Sequence, residues 1–84
     1  MTDSITRFHI DFTREEIDAS VALMKRCGLE KQSDLYNNAI AVLEWAAEQV
    51  QKGNTIAAID RSTAQMTEYA SPALSAAAAS AKSS

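Results

Sequence analysis

Apolar and polar residues alternate over Arg7-Phe8-His9-Ile10-Asp11-Phe12, placing Phe8, Ile10 and Phe12 on one side of an extended segment and Arg7, His9 and Asp11 on the other. This predicts a β-strand over residues 6–12. The period then changes. Thr13-Arg14-Glu15-Glu16 has capping-box spacing, a hydroxyl able to accept from the third helical N–H and a carboxylate able to reach back to the cap. A helix follows over residues 14–27, with Ile17, Val21 and Met24 at i, i+4 and i+7 and with Ser20 and Cys27 on the same stripe. Gly28 closes it, because glycine adopts the left-handed C-cap conformation without steric cost.

A second, longer helix is expected over 31–52, with Leu35, Ala39, Leu43 and Val50 on its inner side and Gly53 as its terminator. Ile40, Val42 and Trp45 extend its apolar girth past half the circumference. A helix of that kind in a short chain is expected to pack against its partner helix and against a neighbouring subunit. Beyond Gly53, Thr55–Ile59 and Gln65–Tyr69 flank the polar run Asp60–Ala64 and predict a β-hairpin over 54–71. Residues 72–84, opened by Pro72 and rich in Ala and Ser, read as a flexible tail, either a fraying helix or disordered.

The first strand sets the assembly problem. Its backbone N–H and C=O groups need partners, yet nothing resembling a second strand follows for about forty residues, so the natural partner is the same strand of a second chain. The chain has 84 residues, which makes one mainly α domain with a short strand and a marginal single-chain core. Dimerisation would supply the missing burial. Cys27 is the single cysteine, so an internal disulfide and a cysteine-rich zinc site are excluded, and a reducing compartment fits. No charged-then-apolar leader pattern and no run of ~18 strongly apolar residues is present, so the expectation is a cytoplasmic protein with no membrane partner. The net charge of −3 argues against a generic polyanion binder; any nucleic-acid contact must rest on a few placed cations.

The order strand, helix, Gly turn and longer helix resembles the ribbon-helix-helix family of bacterial and phage DNA-binding proteins, of the Arc and methionine-repressor type. Arg7-Phe8-His9-Ile10-Asp11-Phe12-Thr13 is similar to the family's ribbon, and Gly28 followed by Ser33-Asp34-Leu35-Tyr36 resembles the start of its second helix, with Asp where Glu is usual. Lys52–Asp60 looks like an extension found after that core in some members. The resemblance covers residues 5–50, within a domain of residues 1–53, and implies an intertwined homodimer whose antiparallel ribbon enters the major groove. Arg7, His9 and Asp11 would face the bases; Lys31, Gln32 and Ser33 would hold a phosphate at the positive end of the second helix. Phe8, Ile10, Phe12, Ile17, Val21, Leu35 and Leu43 would form the dimer core. Asp11 stands where many members carry a basic or amide residue, and Glu30 and Asp34 add negative charge beside the expected phosphate position.

The implied function is a homodimeric transcriptional regulator, a repressor occupying an operator in double-stranded DNA. An antitoxin-like or adaptor dimer is the alternative, engaging a protein through residues 53–72, and the acidic balance favours it. A third arrangement pairs the first strand with the C-terminal hairpin inside one chain. Catalysis is not expected, since no nucleophile, base or metal set is grouped, and Glu15-Glu16 reads as charge complementary to a helix start. His9, the one histidine, reads as a surface or groove residue and not as a metal ligand. Tyr36 and Trp45 read as packing residues, Cys27 as a small core side chain, and no cofactor is called for.

Overall fold

The computed structural model describes residues 6, 7 and 9–82. It is mainly helical: α1 (Arg14–Arg26), α2 (Gln32–Gln51), β1 (Ile56–Ile59), β2 (Met66–Tyr69) and α3 (Pro72–Lys82), with β1 and β2 forming a small antiparallel sheet. The first regular element is a helix. Residues 6, 7 and 9–12, expected as a strand, carry no strand assignment in the single chain. A strand exists only where a ladder partner does, and the sheet contains β1 and β2 alone among the described residues. The third arrangement requires a third strand in that sheet, and among the described residues there is none. Two compact units divide the chain, residues 1–35 and 36–84.

In the first unit the capping box forms as its residues dictate. Thr13 Oγ1 accepts from the Glu16 N–H at 3.1 Å, and Glu16 Oε1 accepts from the Thr13 N–H at 2.8 Å. Two donors that a helix start leaves without partners are thereby satisfied. The far end of α1 closes as a Schellman motif: Leu29 N–H donates to the Met24 C=O at 2.9 Å and Gly28 N–H to the Lys25 C=O at 3.3 Å, with Gly28 at φ +68. Glu15 and Glu16 lie in the first turn and Lys25 and Arg26 in the last, which complements the helix dipole at both ends. Met24 is the buried residue of this helix.

In the second unit α2 ends by the same device. Gly53 (φ +92) donates to the Val50 C=O at 3.1 Å and Asn54 N–H to the Gln49 C=O at 2.9 Å. The chain then turns into the hairpin, whose register pairs Ile56 with Tyr69, Ala57 with Glu68, Ala58 with Thr67 and Ile59 with Met66. Asp60 organises its loop: Oδ1 accepts from the Ser62 N–H at 2.9 Å, the Ser62 hydroxyl at 2.7 Å and the Thr63 N–H at 3.3 Å. These bonds hold its carboxyl below the usual aspartate range, the Ser62 hydroxyl contributing most. Ala64 completes the loop at φ 60, in the left-handed region where alanine is strained.

Of the two alternatives for residues 72–84, a fraying helix or disorder, the structure shows a helix over Pro72–Lys82. The reason is local. Ser71 acts as N-cap, its hydroxyl accepting from the Leu74 N–H at 3.3 Å, and Pro72 takes the first helical position, where a missing N–H costs nothing. Pro72 therefore starts an element as well as stopping a strand. Gln51 Nε2 donates to the Ala77 C=O at 3.4 Å, and Leu74 is 5% exposed.

Candidate functional site

The elements of the first unit converge on the short segment before α1. His9 Nε2 lies 2.7 Å from Asp11 Oδ1, with both side chains about nine-tenths exposed. Residues two apart share a side of an extended chain, so this bond fixes His9 and Asp11 on a common face, as the alternation requires. Arg7 is exposed as well. In the neutral ring, the Nε2–H donates to the carboxylate and the Asp11 charge is engaged by its own chain.

Ile10 and Phe12 are 57% and 53% exposed. Together with His9, Ile17, Ser20 and Gln32 they line an open groove of about 400 Å³. Ser20 does not make this groove polar, because its hydroxyl donates to the Glu16 C=O at 2.9 Å. That bond was the part least visible in the sequence; only its spacing of three from Ile17 placed Ser20 on the apolar side. Ile17 and Val21 are each 40% exposed.

At the start of α2, Lys31 occupies the cap position, its C=O accepting from the Asp34 N–H at 3.1 Å and the Leu35 N–H at 3.3 Å. A lysine side chain cannot accept a hydrogen bond, so α2 lacks the side-chain acceptor that Thr13 gives the Glu16 N–H of α1, and the Asp34 N–H in the equivalent place bonds the Lys31 C=O. Lys31, Gln32 and Ser33 are all exposed. The position suits an anion, while Asp34 in the same turn opposes one.

No family model, curated protein or solved structure matches the chain. Function must therefore be read from the side chains. The described residues hold no group of His, Cys, Asp and Glu arranged for a metal ion, and no helix among them is long and apolar enough to cross a membrane. Of the residues expected in a dimer core, Ile10, Phe12 and Ile17 meet in one groove, Leu35 is half-buried, and Phe8 lies outside the described residues. Leu43 belongs to the second unit, where it is 45% exposed. Cys27, expected as a core side chain, is exposed at the C-cap of α1, because the Schellman turn directs the chain away there.

In the second unit, residues 53–72 form the hairpin and the cap of α3. Val50, Ile56, Tyr69, Leu74 and Ala78 contribute to a depression of about 350 Å³. Ile59 and Met66, a cross-strand pair, are 66% and 65% exposed.

Proposed function

We propose that the protein is a homodimeric DNA-binding transcriptional regulator of the ribbon-helix-helix kind, reading the major groove with an antiparallel ribbon built from residues 6–12 of two chains. The observation that carries this reading is the exposure of Ile10, Phe12, Ile17 and Val21, four apolar side chains at positions that the resemblance assigns to a dimer core. Covering half of such a side chain is worth ~1 kcal/mol, so eight of them in a dimer contribute roughly 8 kcal/mol, comparable with the ~4–15 kcal/mol cost of association. The added ladder bonds of the ribbon tip the balance. Phe8, on the same side of the sequence pattern, would join this core.

Pairing through the apolar side turns the His9–Asp11 face outward, with Arg7 beside it. Arg7 supplies the fork that donates twice to guanine O6 and N7; the His9–Asp11 pair offers a donor and an acceptor to neighbouring bases. Lys31 and the N–H groups of Gln32 and Ser33 hold a phosphate and fix the register. Binding to pooled random duplexes at two salt concentrations tests the reading. A log-linear fall in affinity is expected, and Lys31→Ala reduces the slope by about 1, whereas Arg7→Ala costs ~1–3 kcal/mol at a selected site. Affinity that does not change with salt refutes DNA recognition.

A second reading, an antitoxin-like or adaptor dimer that engages a protein through residues 53–72, is favoured by the exposed Met66 and Tyr69 on the hairpin and by the net charge of −3. Co-purification of the native protein separates the two, since a stoichiometric partner supports the adaptor and none removes it.

A further inference from the structure

The hairpin has one outer edge that is ready for another strand. Asp60 N–H donates to the Gln65 C=O at 2.8 Å, which marks Asp60 and Gln65 as a hydrogen-bonded pair. Alternation along an antiparallel ladder makes Ala58/Thr67 and Ile56/Tyr69 the next such pairs. The N–H and C=O groups of Ala57 and Ile59 therefore turn away from β2, towards the outer edge. No other hydrogen bond of the described residues takes them up.

We infer that the outer edge of β1 pairs antiparallel with β1 of a second copy of this chain, Ala58 facing its own counterpart across a two-fold axis, to give a four-stranded sheet. In that register Ala57 of each chain faces Ile59 of the other, and the outward groups close about four N–H to C=O bonds. Ala58 suits the axis because side chains in a non-hydrogen-bonded pair approach closely, and a methyl group leaves room. Ile59 and Met66 share a face of the hairpin, so pairing joins them to the same two side chains of the second copy in one apolar patch. Glu68, opposite Ala57, lies at the margin of that patch, and a lone hairpin is marginal in water where a sheet of more strands with apolar residues at its centre is less so.

Charge selects a second copy as the occupant, and selects this edge. On a two-fold edge every formal charge is brought near its duplicate, and Ile56-Ala57-Ala58-Ile59 carries none, nor any proline. Asp60, the next acid, has its carboxylate turned onto its own loop through Ser62 and Thr63. β2 carries Glu68 at an outward-facing position, so self-pairing there would bring two carboxylates onto adjacent strands, whereas pairing through β1 keeps them on the two outermost strands. The contact does not depend on the ribbon.

Disulfide trapping in purified protein tests the pairing. In a Cys27→Ala background, Ala58→Cys and Thr67→Cys place a thiol at an exposed position on each of the two edges, opposite one another in the ladder. A disulfide needs Cα atoms ~4.4–6.8 Å apart, which the proposed axis provides for position 58 only. Ala58→Cys is expected to form a covalent dimer at least about tenfold faster than Thr67→Cys, and adding Ile59→Pro, which removes an outward donor and no hairpin bond, abolishes the difference. Equal rates, or no covalent dimer from Ala58→Cys, overturn the proposal; the second of these results would leave the edge to a strand of another protein. Repeating the comparison with Phe12→Ala separates the two interfaces. A rate ratio that survives this change supports β1 pairing even if the ribbon fails, and a ratio that vanishes with it shows the edge contact to be a by-product of ribbon pairing and overturns its independence.

Discussion

Phe12→Ala removes the largest exposed side chain of the described groove and leaves the capping box beside it in place. A phenylalanine side chain taken wholly out of water contributes ~2–3 kcal/mol. Phe12 is 53% exposed in the single chain, so about half of that gain is still to be realised, roughly 1–1.5 kcal/mol per copy and ~2–3 kcal/mol per dimer. The dimer dissociation constant is expected to rise ~30–150-fold. Sedimentation equilibrium over about 1–100 µM reads this directly, as a shift from roughly 18 kDa towards the 9.1 kDa chain. Far-UV circular dichroism checks that α1 keeps its helicity, since the Thr13 and Glu16 bonds are untouched. An unchanged dissociation constant, or a wild-type protein that sediments as a single chain throughout, would refute the ribbon core.

Three further outcomes are expected in the second unit. Ala64→Gly should stabilise the hairpin by ~0.5–1 kcal/mol, because φ 60 strains alanine, and a thermal melt should show a raised midpoint. Asp60 has its carboxyl lowered in the fold, so its contribution is complete above its ordinary value of 3.8 and disappears as pH falls through the lowered folded value. Following the Ser62 amide signal from pH 5 to pH 2 should show that loss, and Asp60→Asn, which keeps an acceptor but no titrating group, should flatten it. Ser71→Ala should cost ~0.5–1 kcal/mol at the start of α3, measured as faster amide exchange at Leu74; unchanged exchange would show that the cap is not used.

What was legible in the sequence follows from how far each signal reaches. Thr13-x-x-Glu16, Gly28 and Gly53 act within one helical turn, and the two helices they bound end within a residue of expectation. Ser71-Pro72 carries an equally local signal for α3, a capping hydroxyl followed by proline at the first helical position, although the same proline also ends β2. At Ala64 the loop closes at positive φ without glycine, and nothing in Asp60–Ala64 announces it, since the bonds from Ser62 and Thr63 to Asp60 shape the loop.

Pairing is where sequence reasoning and the single chain part company. Period-two alternation in Arg7–Phe12 specifies which side chains share a face, and the His9–Asp11 bond agrees with it; alternation alone supplies no hydrogen-bond partner. The segment before α1 and the outer side of β1 pose the same physical problem, backbone groups with no ladder and apolar residues beside them in water. Water satisfies the backbone groups in the free chain, but it cannot cover Ile10, Phe12, Ile59 and Met66. Buried hydrophobic residues among those described are Met24, Ala46 and Leu74. Three such residues make a small core for a chain of 84 residues, and the proposed ribbon and β1 pairing would each add apolar burial to it.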